Sequence, residues 1–288
     1  MILLIFFISL FTAALIVVPL GLVWQFQRKQ IRNLIIVDFF VTGIFLNIIS
    51  NLAGSASTFG IVLVSFFMNG GLTFGILVFM FFRDPERESP DRHDVILSPA
   101  DGHVIYVKKI VRDEIPISEK KQRTMKLSEF AKTEVLSEGA YLVGIGMSVM
   151  NVHVNRAPIA GKIELIKHKP GKFLSLKRED ALSENERVTT IIDNDFFKIG
   201  VIQIASRLVR RIVSYVREQE SVTSGQRIGM IKFGSQVDVL IPKMDFLMLN
   251  VKPGDEVKAG ASILATYKLK PNMNVKLENM VAEECSLI

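Results

Sequence analysis

The sequence predicts an α-helical membrane region followed by a mostly β (α+β) domain, built as a pseudo-symmetric antiparallel β-sandwich or barrel. Three observations predict it. Residues 1–82 hold only four charges, Arg28, Lys29, Arg32 and Asp38, among long apolar runs. Past Arg83 the pattern changes to short β-branched runs broken by Gly and Pro, such as Gly102-His103-Val104-Ile105-Tyr106-Val107 and Val237-Asp238-Val239-Leu240-Ile241. Two spacings also recur in that part: Pro99-x-x-Gly102-x-Val104 as Pro158-x-x-Gly161-x-Ile163, and Val222-x-x-Gly225-x-x-Ile228 as Val257-x-x-Gly260-x-x-Ile263.

The membrane region, residues 1–82, reads as about three helices. Residues 1–24 carry no charge, and a helix of that length spans about 36 Å, enough for a hydrocarbon core of about 30 Å. A cleaved signal peptide would start with basic residues and have a shorter apolar core, so a retained span is predicted. Residues 25–33 read as a basic polar loop. A second span runs over 34–50, with Asp38 near its interfacial end, then a short loop over 51–58 and a third span over 59–82. If the basic loop is cytoplasmic, three spans put the following domain in the cytoplasm as well. The expected location is the cell membrane, with the domain on its cytoplasmic side.

Residues 83–288 read as one domain. The net charge is +6, of which the membrane region accounts for +2, so the remaining +4 describes an ordinary soluble surface and not a nucleic-acid partner. A mild basic bias beside a membrane fits attraction to anionic lipid. Cys285 is the one cysteine, so neither an intrachain disulfide nor a cysteine metal site is available. The four histidines are scattered and no His-Glu-x-x-His motif occurs, so no metal is expected. Residues 201–218 are rich in Val and Ile and read as strand. The charged stretch 119–138 reads as loop or short surface helix. His103 at a strand start and His93 in a polar linker read as surface residues.

The pair Gly234-Ser235 is unremarkable alone, since Gly-Ser turns are common. Its surroundings, Arg227-Ile228-Gly229-Met230-Ile231-Lys232-Phe233-Gly234-Ser235, resemble the processing site of phosphatidylserine decarboxylases, particularly the short type. Ser98-Pro99-Ala100-Asp101-Gly102, Asn151-Val152-His153-Val154-Asn155-Arg156-Ala157-Pro158 and Pro170-Gly171-Lys172-Phe173 also resemble that family. So do Asn185-Glu186-Arg187 and Gln203-Ile204-Ala205, all in family order between Arg83 and Lys268.

The resemblance implies a proenzyme that cuts itself between Gly234 and Ser235 into a β chain, 1–234, and an α chain, 235–288, which stay together as a heterodimer. Ser235 would become a pyruvoyl group, the only cofactor, whose carbonyl would condense with the amine of phosphatidylserine in the membrane and serve as electron sink for decarboxylation to phosphatidylethanolamine. A serine hydroxyl is a weak nucleophile unaided and needs a base. The resemblance assigns that part to His153 with Asp101 as its orienting carboxylate. Longer family members carry two histidines in the His153 motif, and here Arg156 stands at the second. The division of His153 between self-cleavage and proton return therefore stays open. Arg156, Lys172 and His168 are candidate contacts for the substrate phosphate or carboxylate.

Two other readings remain. One is a decarboxylase of another serine-headgroup lipid, such as the ether-linked archaetidylserine type. The other is a membrane adaptor or lipoyl- or biotinyl-type carrier modified at Lys243, because Gly254-Asp255 ahead of Val257 resembles the hammerhead turns of such domains. Pro242 argues against the carrier, since it stands where that motif has a methionine before the lysine. Homo-oligomerisation is not readable from the sequence.

Overall fold

The structure, a computed structural model, describes residues 2–24, 26–52, 57–110, 114–118, 123–126, 139–172, 184–205, 212–231, 235–244 and 247–268. Gly234, Phe173 and Cys285 lie outside these residues. For Ser235 and for strands 114–118 and 123–126 the description is of backbone alone. The chain divides into two compact units, Met1–Arg83 with Ser148–Met150, and Asp84–Met147 with Asn151–Ile288.

The first unit contains α1 (Ile2–Val23), α2 (Arg28–Leu52) and α3 (Thr58–Phe82). Their 22, 25 and 25 residues reach about 33 to 38 Å, long and apolar enough for each to cross a membrane. Ser57 caps α3, its hydroxyl accepting from the Gly60 amide at 3.1 Å. Each helix buries one stripe. In α3 it is Ile61, Ser65, Asn69, Thr73, Leu77 and Phe81; in α2, Leu34, Asp38, Thr42, Leu46 and Ser50. A spacing of four keeps such residues on one helix face.

The stripes are joined by polar groups. Thr42 donates to Asn69 Oδ1 (2.5 Å), Asn69 Nδ2 donates to Thr12 Oγ1 (2.8 Å) and to the Ser9 carbonyl (3.1 Å), and Thr12 and Ser65 share a hydrogen at 2.8 Å. Thr73 donates to Asp38. The outward surface is apolar, with Phe7, Phe11, Phe67, Phe74 and Phe79 exposed. Polar inside and apolar outside inverts a water-soluble bundle. It suits lipid, where a polar group must find its partner within the protein.

One expectation changes here. The basic stretch is not all loop, since α2 starts at Arg28: Arg and Lys are good helix formers, and backbone bonding continues past the apolar run. Asp38 is fully buried against Thr73. Arg83 closes this unit, its Nη2 donating to the Met150 carbonyl at 2.9 Å.

The second unit is antiparallel β. Its strands are β1 (Val95–Leu97), β2 (Gly102–Ile110), β3 (Glu114–Ser118), β4 (Arg123–Lys126), β5 (Ala140–Met147), β6 (Val154–Arg156), β7 (Gly161–Lys169), β8 (Arg187–Asp193), β9 (Lys198–Ala205), β10 (Ile212–Ser214), β11 (Ser221–Val222), β12 (Arg227–Ile231), β13 (Ser235–Pro242), β14 (Met248–Leu249), β15 (Glu256–Val257) and β16 (Ile263–Thr266). The main sheet runs β11-β7-β8-β9-β13-β5-β2-β15 and curls into a half-barrel. Two three-stranded sheets, β1-β16-β14 and β10-β12-β6, and the hairpin β3-β4 complete it. β4 lies inside the charged stretch read as loop or helix: Thr124 and Met125 pair with Pro116 and Ile115 despite the polar composition. Within 201–218 the described residues include the end of β9, to Ala205, and β10, Ile212–Ser214.

The pseudo-symmetry is physical. Val257 pairs with Gly102 and Val222 pairs with Gly161, so the two repeated spacings bond to each other twice over. The Val104 amide donates to the Asp255 carbonyl as Ile163 does to Glu220; Gly254 donates to Val104 as Gln219 does to Ile163. Gly260 donates to Ser98 as Gly225 does to Ala157, and both glycines have positive φ, 69° and 79°, which L side chains rarely adopt. The β-bulge between Val104 and Tyr106 recurs between Ile163 and Leu165. The main sheet therefore reads the same from either edge, with β9 and β13 as the central pair. Their inward rows, including Val201, Val237, Val239 and Ile241, fill the core with Val143, Ile145 and Ile192. Each such side chain is worth about 1.5–3 kcal/mol of burial.

Candidate active site

Ser235 is the first residue of β13, where the chain passes from the small sheet of β12 into the main sheet. Its backbone is in register with Met147 of β5 on one side and Ala205 of β9 on the other. β12 ends at Ile231, whose amide donates to the His153 carbonyl at 3.2 Å. β12 thus ends against His153, and β13 begins beside the end of β5. The backbone from Ile231 to Ser235 can span no more than about 14 Å, so His153 and Ser235 lie in one neighbourhood of the sheet.

His153 is fully buried, and its Nδ1 is 2.8 Å from the carbonyl oxygen of Asn151. A carbonyl can only accept, so Nδ1 carries the hydrogen, and the neutral form of the ring then has its lone pair at Nε2. Asp101 does something else. Its two oxygens receive Nη1 and Nη2 of Arg87 at 2.5 and 2.8 Å, and Oδ1 also accepts the Ala259 amide at 2.8 Å. Among the described residues Asp101 does not hydrogen-bond His153. It fixes its own turn, and that turn reaches the histidine segment through Pro99, whose carbonyl accepts from the Arg156 amide (2.9 Å) and from Asn155 Nδ2 (3.3 Å). Gln203 Nε2 donates to Asn155 Oδ1 at 2.8 Å and ties the same segment to β9.

Arg156 is buried and committed to protein, with Nη1 on the Gly225 carbonyl (3.1 Å) and Nη2 on the Pro85 carbonyl (3.1 Å) and Asp84 (3.3 Å). Lys172 is exposed, 2.8 Å from Glu184, and bridges in backbone to Asn185. Asn185 Nδ2 in turn donates to the carbonyl of Ala205, the β9 partner of Ser235, at 2.9 Å. His168 is half-exposed, with Nε2 at 2.9 Å from Glu186. The motif blocks scattered along the sequence are therefore bonded to one another around the two strands that flank residue 235.

The sequence model of the phosphatidylserine decarboxylase family matches residues 74–265. A phosphatidylserine decarboxylase proenzyme from Syntrophus aciditrophicus is 40% identical over 197 residues, covering 68% of this chain and 82% of its own length. One from Azorhizobium caulinodans is 38% identical over 218 residues, covering 75% of this chain and 85% of its own. The chain belongs to the phosphatidylserine decarboxylase family. It is accordingly a decarboxylase, a carboxy-lyase, with three apolar helices ahead of its enzymatic unit.

Sequence reasoning about this family member missed two groups. Arg87 holds Asp101 in a nearly enclosed ion pair. Its neighbours Asp84 and Glu86 pair with Arg227, at 2.5 and 2.7 Å. The second group lies on β13 itself. Gln236 Nε2 donates to the Tyr106 hydroxyl (2.7 Å) and to Asp238 Oδ1 (2.8 Å), and Tyr106 donates to Asp238 Oδ2 at 2.9 Å. Asp238 and Arg187 are fully buried. Burial pushes the Asp238 carboxyl up to about 7, against the hydrogen bonds from Gln236 and Tyr106 and the charge of Arg187, while burial brings Arg187 down to about 10. The only signal in the sequence was polar residues alternating in an apolar strand.

Proposed function

We propose that the chain is a self-processing proenzyme that cuts itself between Gly234 and Ser235 and then decarboxylates phosphatidylserine to phosphatidylethanolamine. The observation that carries this reading is the bonding of His153, in the tautomer that leaves Nε2 basic, to the end of the strand that leads into Ser235.

In this reading Nε2 of His153 takes the proton from the Ser235 hydroxyl, which attacks the Gly234 carbonyl carbon. The peptide C–N bond breaks as an ester forms. Elimination then frees the upstream carboxylate, and hydrolysis releases the nitrogen as ammonia and leaves residue 235 as a pyruvoyl group. The start of a central strand fits such a group, since it keeps residue 235 fixed between Met147 and Ala205. Once formed, it supplies a carbonyl that takes up the substrate amine and accepts the electron pair released with CO2. In turnover His153, having passed the serine proton to the departing nitrogen and taken up another from solvent, is the proton donor to the substrate carbon. Asp101 acts at one remove, as a carboxylate locked by Arg87 that keeps the Pro99 turn under the His153 segment. Arg156 serves that scaffold too, because its guanidinium is already occupied. Lys172 and His168, both at the surface, are the contacts for the lipid phosphate.

The α chain, 235–288, would contribute β13, which has partners on both sides, so the two fragments would remain a heterodimer. The membrane is the cell membrane and the enzymatic unit is cytoplasmic, on the strength of Arg28, Lys29 and Arg32 at the start of the second helix.

Intact-mass measurement of the detergent-purified protein tests the reading. Two fragments, 1–234 and 235–288, are expected, the smaller blocked to Edman degradation, with CO2 released from phosphatidylserine in mixed micelles. Ser235→Ala is expected to remain one inactive chain of 32.3 kDa, less one oxygen. A wild-type chain that stays whole, or one made heavier by a group on Lys243, would sink it. Release of CO2 only from an ether-linked serine lipid would move the substrate to the archaetidylserine class.

A further inference from the structure

Pseudo-symmetry provides an internal control for what the enzymatic half adds. Tyr106, Gly144 and Asp238 form one row across β2, β5 and β13. The equivalent row across β7, β8 and β9 is Leu165, Ile191 and Gly200. Gln236, in register with Gly146, has Lys198, in register with Asp193, as its mate. The polar triad therefore exists only in the half that carries Ser235. It is also built with care for space. A Cβ on Gly144 would lie 2.5 Å from Tyr106 Cζ and 2.9 Å from Asp238 Oδ1, so only glycine lets the tyrosine lie across β5 to reach β13.

From this asymmetry we infer that Tyr106, Gln236 and Asp238 form a clamp that holds the new chain start at residue 235 in place once the bond before it is cut. The inference rests on the proposed self-cleavage. Before the cut, residue 235 is held by its peptide bond to Gly234 and by the sheet. After the cut that bond is gone, and conversion to a pyruvoyl group also removes the residue's amide nitrogen, and with it the donor it could offer the ladder. Chain ends fray unless tied down. The next residue, Gln236, supplies the tie: its side-chain amide donates twice, to Tyr106 and to Asp238, which the tyrosine locks to each other. These are positioning residues. They act on residue 235 through the backbone of Gln236.

The test uses Gln236→Leu in the full-length protein, with Tyr106→Phe as a second, milder variant. Mass spectrometry reads self-cleavage, expected within about twofold of wild type, since the uncut chain does not need the clamp. Hydrogen–deuterium exchange of the peptide over 236–242 is expected to be at least tenfold faster in the cut variant than in cut wild type, and unchanged when Gln236→Leu is placed in the uncut Ser235→Ala chain. kcat is expected to fall about tenfold with KM within threefold, and Tyr106→Phe to lie between. Lys198→Leu, at the symmetric position, should leave all three readouts at wild-type values. Equal exchange in cut variant and cut wild type overturns the clamp. So does a loss of self-cleavage that matches the loss of turnover, or faster exchange in the uncut chain, because either makes the triad a general support of the sheet. A wild-type chain that never cuts refutes the proposed function instead, independently of the clamp.

Discussion

Asp238→Asn should change how stability depends on pH, and by a predictable amount. The side chain is fully buried, and its carboxyl is raised from 3.8 to about 7. A raised carboxyl means that the folded protein binds the proton more tightly than the unfolded chain. Below about pH 3.8 both states are protonated and the group contributes nothing to the pH dependence. Between about 4 and 7 the unfolded chain has lost the proton and the folded protein retains it, so stability falls as pH rises; above 7 the loss is complete. A shift of about three units at about 1.4 kcal/mol each gives a loss of about 4 kcal/mol across that window. Asparagine is neutral throughout and removes the slope, although it also weakens the bonds with Tyr106 and Gln236 by an amount that pH does not alter. The measurement is thermal unfolding of both proteins in detergent from pH 4 to 8, each in the Ser235→Ala background so that a single chain unfolds. At about 2–4 °C per kcal/mol for a domain of this size, the Asn variant should gain roughly 8–16 °C on the Asp protein between pH 4 and 7.5. Parallel curves would refute the argument, because they would mean that Asp238 is charged in both states or in neither.

Four other outcomes follow. Arg87→Ala leaves the Asp101 carboxylate nearly enclosed without its cation, and by analogy with other broken ion pairs should cost about 3 kcal/mol, read as a lower unfolding temperature and slower self-cleavage, with Arg87→Lys recovering part of both. Gly144→Ala forces Tyr106 off β13 and should cost about 2 kcal/mol by overpacking, measured by the same unfolding assay. Asn69→Leu removes the group that joins Ser9, Thr12 and Thr42, and should weaken the helical unit by about 2 kcal/mol in an SDS titration followed by circular dichroism, without changing self-cleavage. His153→Ala should stop self-cleavage; cleavage at a normal rate with no CO2 release would confine His153 to the proton-donor step.

The fold was legible where a pattern belonged to one local element. Runs without charge gave the three helices, and the recurring Pro-x-x-Gly and Val-x-x-Gly spacings gave the paired turns, since a turn that needs positive φ leaves a glycine in the sequence. Legibility failed where tertiary packing overrode composition. Asp38 was legible as a charge in the second span, but its partner Thr73, on another helix, was not. Arg123–Lys126 looked like surface loop, and cross-strand pairing made it β4. At the site, Ser235 and His153 came from resemblance, whereas Arg87 and the Tyr106–Gln236–Asp238 group left almost no trace. Gln236-Val237-Asp238 reads as a strand with one wet face, and only the sheet reveals that both faces are buried. Asp101 was read as the partner of His153, but a sequence motif records that a carboxylate is present and not which cation claims it.

The position of the proposed cut within the duplicated sheet bears on why self-cleavage need not undo the domain. The strands related by the pseudo-symmetry, β9 and β13, lie side by side at the centre, so the chain start created at residue 235 is flanked by β5 and β9 and not left at an edge. A break at an edge strand would free a fraying end; a break at the entry to a central strand leaves its ladder bonds on both sides to hold the fragment. The ladder is common to both halves and cannot by itself explain why a reactive group would be held in one orientation at one of them. That task falls to what the halves do not share. On the β9 side the mate of Gln236 is Lys198, which binds Glu164 and Asp193 near the surface. On the β13 side the same position is buried and bonded to Asp238 and Tyr106. The symmetric scaffold thus tolerates the cut, and a buried polar departure from symmetry lies beside the residue that the cut would expose.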